Sequence, residues 1–214
     1  MRFFVFKNKI KIVLHQKVFR GKLREDPDFI TFKRMKEMYE MKREQDVIRI
    51  LMVCHGNICR SPMAEFVMKD MIEKEHSGNH FYVASAATST EEIGNPVHPG
   101  TRKKLKEYGI STEGKYAVQL SRKDYDKYDY LIGMEQRNVT NMLRILGGDP
   151  EGKVKRLLDF SSDSRDIADP WYTRNFDRTY EDVYEGCEAL LSYILEQKSA
   201  WNYRQQGGII YETT

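Results

Sequence analysis

Residues 54–61, Cys-His-Gly-Asn-Ile-Cys-Arg-Ser, combine side chains that could bind and attack a phosphate group. Cys54 supplies a sulfur nucleophile, and Arg60 can donate two parallel hydrogen bonds to phosphate oxygens, a geometry that lysine lacks. The residues between them are enough for a ring of inward-facing backbone N–H groups, with Gly56 and Asn57 able to adopt positive φ where the ring requires it. Ser61 adds a hydroxyl that could hydrogen-bond the sulfur and help it leave.

The flanking sequence predicts a strand before this loop and a helix after it. Residues 47–53 include a short apolar run typical of a buried strand, and residues 61–76 have helical character. A loop at a helix start binds anions because the first N–H groups lack partners and the helix dipole is positive there. A cysteine in such a loop loses its proton easily, so we predict that Cys54 is a nucleophile at neutral pH.

The segment from Val53 to Pro62 resembles the signature of the low-molecular-weight protein tyrosine phosphatases. In that family an Asp-Pro pair carrying the general acid follows much later, and Asp169-Pro170 stands at the corresponding place. The resemblance extends over residues 47–199. It implies a metal-independent enzyme without cofactors that hydrolyses phosphotyrosine in proteins through a cysteinyl-phosphate intermediate.

The resemblance also implies a role for each catalytic residue. Cys54 attacks phosphorus while the loop amides and Arg60 hold the equatorial oxygens. Asp169 protonates the leaving phenolate and then accepts a proton from water, although a solvated loop aspartate is the alternative reading. The predicted phosphate-binding residues are His55, Gly56, Asn57, Ile58, Cys59 and Arg60. The acids expected to be surface charges are Asp163, Asp166 and Asp177.

Other positions are expected to support or line the site. In the family a serine at the position of Ser85 holds the loop asparagine, here Asn57; a surface serine is the alternative. Trp171 and Tyr172 are predicted to form an aromatic wall for a phenyl ring, with core packing as the alternative. Ile58 adds an apolar surface, where a phosphoarginine phosphatase of this fold would be expected to carry a hydroxyl.

The remaining cysteines have expected roles, and several positions depart from the family pattern. Cys59 occupies the position that the family uses for a protective disulfide with the nucleophile, and an inert buried thiol is the alternative. Cys187 is expected in the core. Residues 115–119, Lys-Tyr-Ala-Val-Gln, depart from the family's His-x-Ala-Arg-Gln, which puts support of the loop from that side in question. Glu91 and Glu92 should repel acidic sequences around a phosphotyrosine.

Other activities remain open as alternatives. An arsenate reductase of the same fold would need a further closely spaced cysteine pair, which residues 60–186 lack. A zinc site at Cys54, His55 and Cys59 lacks a fourth ligand at the usual spacing. A non-enzymatic phosphotyrosine-binding module would keep Arg60 without needing both the cysteine and the acid.

Alternating strands and helices predict an α/β fold with a four-stranded parallel sheet, helices on both faces and the ligand at the carboxyl ends of the strands. This is a Rossmann-like three-layer sandwich, with the phosphate-binding loop after the first strand. Further strands are expected at 81–84, 128–134 and 153–158. Further helices are expected at 99–108, 135–146 and 179–198.

Composition suggests one catalytic domain with extensions. Residues 1–50 hold 14 Lys/Arg against 7 Asp/Glu, and the remaining 164 residues hold 21 against 25. We predict a basic N-terminal extension over 1–46, partly helical or disordered, a phosphatase domain over 47–200 and a tail over 201–214. Three cysteines favour a reducing, cytoplasmic location.

Partner predictions follow from the same composition. No apolar run approaches the roughly 18–20 residues needed to span a bilayer, so we expect no stable membrane insertion. The basic extension could lie on an anionic surface, but an appendage or sequence upstream of the true start is preferred, and nucleic-acid binding is not expected. The predicted partners are phosphotyrosine-containing proteins, and the predicted assembly is a monomer or weak homodimer.

Overall fold

The computed structural model describes residues 47–75 and 77–205. The strands there are β1 (Ile48–Cys54), β2 (Phe81–Ala87), β3 (Tyr130–Gly133) and β4 (Val154–Arg156). The α-helices are α1 (Arg60–Lys74), α2 (Pro99–Lys106), α3 (Asp124–Lys127), α4 (Gln136–Leu146), α5 (Pro170–Thr173) and α6 (Phe176–Gln205), with 3₁₀ turns at Gly78–His80 and Leu157–Phe160. The predicted extension and the tail beyond residue 205 lie outside the described residues.

The four strands form one parallel sheet in the order β2-β1-β3-β4. β1 is a central strand with neighbours on both sides, and its residues 50–53 are all at most 2% exposed. A parallel strand covered on both faces reads as a continuous apolar run, which is why this segment has no polar alternation. Its last residue, Cys54, pairs with Ala87 and lies at the carboxyl edge of the sheet, where ligands bind in such folds.

Helices cover both faces of the sheet. Ile50 and Met52 pack into a cluster with α1, α2 and α6, whereas Leu51 and Val53 pack with α4 and the segment around Tyr125. The predicted three-layer α/β architecture is therefore confirmed. No helix in the part of the chain that the structure describes combines the length and apolar character required to cross a bilayer.

Several element ends differ from the sequence prediction for local reasons. The fourth strand ends at Arg156, because a 3₁₀ turn begins at Leu157 and buries Leu157 and Leu158. Asp159 within this turn accepts from the backbone N–H of Arg156 at 2.9 Å. A short helix, α5, was not predicted; Asp169 caps it, and proline at the first helical position suits this start. α6 begins at Phe176, three residues earlier than predicted.

Candidate active site

The loop between β1 and α1 wraps around the Cys54 sulfur. The backbone N–H of Asn57 donates to Sγ at 3.3 Å, and the Ser61 hydroxyl lies 3.1 Å from it. Cys54 is 3% exposed. Asn57 has a backbone φ of 58°, in the left-handed region that residues other than glycine seldom adopt. One backbone N–H and one hydroxyl of the loop therefore contact the sulfur directly.

Three hydrogen bonds hold Asn57 in this unusual conformation. Its Nδ2 donates to the Ser61 and Ser85 hydroxyls, both at 2.8 Å, and its Oδ1 accepts from the backbone N–H of Val118 at 3.1 Å. The contact with Ser85 is the one implied by the family resemblance. Residues 115–119 therefore support the loop through the main chain at Val118, although they lack the family's pattern of side chains.

Arg60 is 1% exposed and lies among acceptors. Nη1 donates to the Ile167 carbonyl at 3.0 Å, and Nη2 contacts Glu135 Oε1 at 3.1 Å and Asp169 Oδ2 at 2.5 Å. Burial alone would lower the pKa of Arg60, but the negative charges around it, with Cys54 the largest contributor, raise it. The buried Nε has no hydrogen-bond partner among the described residues. One N–H donor of the guanidinium is therefore left for an anion.

Asp169 is brought from the distant 161–169 segment to the loop. Its Oδ1 accepts from the Trp171 N–H at 3.0 Å, which caps α5, and its Oδ2 meets Arg60. The three other acids considered, which are near Asp169 in the sequence, form ion pairs with different residues. Asp163 contacts Arg165, Asp166 contacts Arg156, and Asp177 contacts Lys104. Of these four carboxylates, only Asp169 lines the same cleft as Cys54.

The cleft above the sulfur has a volume of about 130 Å³. Trp171 is 43% exposed and Tyr172 is 80% exposed, so neither is a core residue. Trp171 meets the ring of His98 edge-on, with 5.8 Å between centroids. The lining residues are Cys54, His55, Gly56, Ile58, Cys59, Arg60, Glu91, Glu92, Asp169, Trp171 and Tyr172. A larger cavity of about 720 Å³, lined by residues from 96 to 116, contains none of the predicted catalytic residues.

The other two cysteines are buried free thiols. Burial raises the pKa of Cys59 to about 12, and the charges of Cys54 and Asp169 add to the effect, so Cys59 is protonated at neutral pH. Burial also raises the pKa of Cys187, whose Sγ donates to the Ala64 carbonyl at 3.6 Å. The prediction that Cys187 lies in the core is confirmed.

Sequence reasoning missed Glu65 and Glu135. Glu135 contacts Arg60, and its signal was an acid two residues after β3, at the edge of the sheet where β1 also ends. Glu65 accepts from the Ser85 hydroxyl at 2.6 Å and is 4% exposed. Its signal was a charged residue inside the otherwise apolar run of residues 62–68.

Together these residues provide the parts needed for transfer of a phosphoryl group. Backbone N–H groups and a buried guanidinium offer fixed positive charge, which is the main requirement for such a transition state. The Cys54 sulfur and the Asp169 carboxyl group line the same cleft as this guanidinium. An oxyanion bound there would meet a nucleophile and a proton donor at once.

Comparison with known proteins agrees with this reading of the site. The sequence model of the family "Low molecular weight phosphotyrosine protein phosphatase" matches residues 49–200. The low molecular weight protein-tyrosine-phosphatase YfkJ of Bacillus subtilis is 40% identical over 154 residues, covering 71% of this chain and 99% of YfkJ. PtpA of Staphylococcus epidermidis is 38% identical over 151 residues, which are 70% of this chain and 96% of PtpA.

Solved structures give the same result. The crystal structure of YfkJ superposes with a TM-score of 0.69, covering 71% of this chain and 97% of that one. SP-PTP, a low molecular weight protein tyrosine phosphatase from Streptococcus pyogenes, is 38% identical with a TM-score of 0.62, covering 69% and 93% of the two chains. Since the family model spans most of this chain and the relatives match over nearly their whole length, the chain belongs to the low molecular weight protein-tyrosine-phosphatase family.

Proposed function

We propose that this protein hydrolyses phosphotyrosine in proteins, with Cys54 as nucleophile, Arg60 as phosphate-binding residue and Asp169 as general acid. The observation that carries the proposal is the hydrogen bond from the Asn57 N–H to Cys54 Sγ, beside a buried Arg60 whose Nε has no partner among the described residues. A buried donor without a partner is costly unless a ligand satisfies it. A phosphate oxygen is a suitable ligand.

In the first step the Cys54 thiolate attacks phosphorus, an S–P bond forms and the P–O bond to the phenol breaks. Asp169 gives its proton to the leaving oxygen. In the structure Asp169 Oδ2 contacts Arg60. A phosphate bound to that guanidinium would replace this contact and free the carboxyl group to face the leaving oxygen.

In the second step water attacks phosphorus and the S–P bond breaks. Asp169, now ionised, takes a proton from the water, so that the enzyme returns to its starting state and inorganic phosphate is released. The Ser61 hydroxyl, 3.1 Å from Sγ, stabilises the departing thiolate, since a hydrogen bond to the charged form lowers its energy.

The substrate class follows from the cleft. Ile58, Trp171 and Tyr172 line it with apolar surface, which suits an aromatic ring beside the phosphate. This favours phosphotyrosine over phosphoarginine. The arsenate reductase alternative needs a further closely spaced cysteine pair, and residues 60–186 contain none. We further propose that Cys59 can pair with an oxidised Cys54, protecting it from irreversible loss.

We propose that the partners are tyrosine-phosphorylated proteins in the cytoplasm and that the protein works as a monomer or weak homodimer. We also propose that residues 47–200 form the catalytic domain. Sedimentation of the purified full chain would test the assembly state. Activity of a fragment with residues 47–200 would test the domain boundaries.

The proposed function is tested with p-nitrophenyl phosphate and a phosphotyrosyl peptide. The wild-type chain should release phosphate from both, with inhibition by vanadate. Cys54→Ser should lose at least roughly 10³-fold in kcat while still binding vanadate, because the nucleophile is removed and the amide ring is kept.

A matched control is Cys187→Ala, a buried cysteine in α6 that does not line the cleft, which should retain turnover. Binding of the phosphopeptide without any release of phosphate by the wild-type chain would favour the binding-module alternative. Faster turnover of a phosphoarginyl peptide would favour the other phosphatase class.

A further inference from the structure

The cavity of about 720 Å³ is lined by residues of helix α2 and of the segments 96–97 and 109–116. It is larger than the cleft of about 130 Å³ above the Cys54 sulfur, and the two share no lining residue. Its volume falls within the range of about 300–1,000 Å³ that is usual for small-molecule sites. The residues with a role in the proposed phosphatase mechanism all lie elsewhere, so that mechanism leaves this cavity without a use.

Two cationic side chains line the cavity on one side. Arg102 and Lys106 are four positions apart on α2, so they project from the same face of the helix. Both are exposed, and neither forms an ion pair within the part of the chain that the structure describes. Lys104, on another face of the same helix, is instead paired with Glu107 and Asp177. An anion that enters the cavity therefore meets two charges that are still available.

The other charges around the cavity leave this positive excess in place. Lys115 Nζ lies 3.0 Å from Glu65 Oε2, so its charge is already compensated. Among the lining residues Glu113 is the one carboxylate, and it is exposed. Arg102 and Lys106 thus outnumber Glu113, and the cavity is positive overall. A concave surface with one sign of charge concentrates ions of the opposite sign.

A hydroxyl group adds a hydrogen-bond donor to the cavity. The Ser111 Oγ accepts from the backbone N–H of Glu113 at 3.3 Å. A serine hydroxyl has one proton besides its lone pairs, and accepting this bond leaves that proton for a ligand. Ser111 and the two cations can therefore all donate to an anionic group.

Apolar side chains form much of the remaining wall. Pro96, Val97 and Ile110 supply aliphatic surface, and Tyr116 supplies an aromatic ring that is 57% exposed. An antiparallel bridge between Pro96 and Tyr116 fixes the backbone beside the cavity. Aromatic rings pack well against flat apolar groups. The wall therefore suits a planar apolar group next to the anion.

We propose that this cavity binds a small aromatic anion, separately from the catalytic cleft. Arg102 and Lys106 bind the anionic group, and Tyr116 with its aliphatic neighbours contacts the ring. The compound is bound without being hydrolysed, because the proposed nucleophile Cys54 lies in the other cavity. The inference goes beyond the proposed phosphatase activity and does not depend on it.

The test is a titration of the ¹⁵N-labelled full chain with 2-naphthoate, followed through the NMR signals of the backbone amides. Because each amide is observed separately, binding in the cavity is distinguished from binding in the cleft. We expect saturable shifts centred on residues 109–116, with a Kd of about 1 mM or below. The uncharged analogue 2-naphthylmethanol should bind roughly threefold more weakly or worse, because it lacks the group that the cations contact.

Variants then assign the affinity to side chains. The double variant Arg102→Gln, Lys106→Gln should raise the Kd of 2-naphthoate roughly fivefold, because both charges are removed. Tyr116→Ala should raise it roughly two- to tenfold, because the ring contact is lost. The matched control is Lys103→Gln, since Lys103 is an exposed lysine of the same helix that does not line the cavity. Its Kd should equal that of the wild type.

Several results would overturn the inference. Shifts confined to residues 54–61 would place 2-naphthoate in the catalytic cleft, and no saturable shift up to about 10 mM would mean that no site of useful affinity exists. Equal weakening by Lys103→Gln would show that only the general surface charge matters. Equal affinity for 2-naphthylmethanol would remove the role of the two cations. Each of these results leaves the phosphatase proposal standing, because that proposal is tested by phosphate release.

Discussion

The Asp169 side chain makes two different contacts. One carboxylate oxygen caps α5, and the other reaches Arg60 in the cleft. Asparagine is as good a helix cap as aspartate, so Asp169→Asn should keep α5 and the position of Trp171. It removes the negative charge that faces Arg60 and the proton that the carboxyl group can give, but it keeps the cap of the helix.

We therefore predict that Asp169→Asn lowers kcat most for substrates with poor leaving groups. The loss should be roughly 10²-fold or more for phenyl phosphate and smaller for p-nitrophenyl phosphate, whose phenolate leaves without full protonation. The measurement is kcat across a series of aryl phosphates of increasing phenol pKa. Asp163→Asn, in an exposed rival, is the control. Equal losses across the series would remove Asp169 as the acid.

The catalytic side chains that lie close together in the sequence were predictable, because their residue types and spacing indicate phosphate binding and attack by a sulfur. Cys54, Arg60 and Ser61 lie within eight consecutive residues. In the structure the Ser61 hydroxyl is 3.1 Å from the Cys54 sulfur, and Cys54 and Arg60 line one cleft. Glu65 could not be assigned, because nothing local shows that its carboxylate meets the Ser85 hydroxyl. A charge within an apolar helix face indicates a buried partner without naming it.

At the scale of elements, the start of α2 depends on a histidine. His98 Nδ1 accepts from the Gly100 N–H at 3.0 Å, and its ring stacks on Phe176 with 5.2 Å between centroids. Protonation of Nδ1 would remove this cap. Burial lowers the pKa of His98 below its ordinary value of 6.5, and the nearby Arg174 adds to the effect. The folded protein therefore favours neutral His98.

The sign of the pH effect follows from proton uptake. As pH falls below about 6.5 the unfolded chain gains a proton at His98 that the folded chain binds only at lower pH. The stabilisation is thus complete above that value and is lost as pH falls. We predict that His98→Asn, which caps without titrating, shows a weaker loss of unfolding free energy between about pH 7.5 and pH 5.5.

Urea unfolding at several pH values measures this effect. His98→Ala, which removes the cap, should cost about 1 kcal/mol at pH 7.5. His80→Asn changes an exposed histidine and should leave the wild-type slope unaltered. A slope in His98→Asn equal to that of the wild type would show that another group carries the pH dependence.

Most elements were predictable, but their ends were not. The central strand and the helices α1, α4 and α6 carry long apolar patterns, and they appear where expected. The fourth strand and α5 are short, and each is bounded by a side-chain cap, Asp159 in one case and Asp169 in the other. A cap that depends on one side-chain rotamer is difficult to predict from the sequence.

At the scale of the whole molecule, the site is assembled from segments far apart in the chain. The carboxyl edge of the parallel sheet collects the loop after β1, Glu135 after β3 and Asp169 after β4. Which strands are neighbours decides these meetings, and the order β2-β1-β3-β4 puts β1 between two others. The fold class predicts that ligands bind at this edge, but it does not predict individual contacts such as that of Glu135 with Arg60.

The same assembly places negative charge at the mouth of the cleft. Glu91 and Glu92, from the segment after β2, line it together with the loop after β1, and Glu91 contacts His55 Nε2 at 3.1 Å. The Asn95 Nδ2 donates a hydrogen bond to Glu92 Oε2 at 2.7 Å. Arg60, the guanidinium in the cleft, already faces two carboxylates. A peptide bound there therefore meets excess negative charge next to its phosphotyrosine.

We predict that phosphotyrosyl peptides with lysine beside the phosphotyrosine are better substrates than the same peptides with glutamate. Each exposed charge pair contributes about 0.2–1 kcal/mol, so the ratio of kcat/KM values should be roughly two- to fivefold at low salt and should fall as salt rises. In the Glu91→Gln, Glu92→Gln double variant the ratio should approach one, because the rim charge is gone. The ratio normalises each variant to itself, so a general loss of activity would not mimic the effect. A ratio that keeps its wild-type value in the double variant would mean that charges elsewhere on the molecule select the peptide.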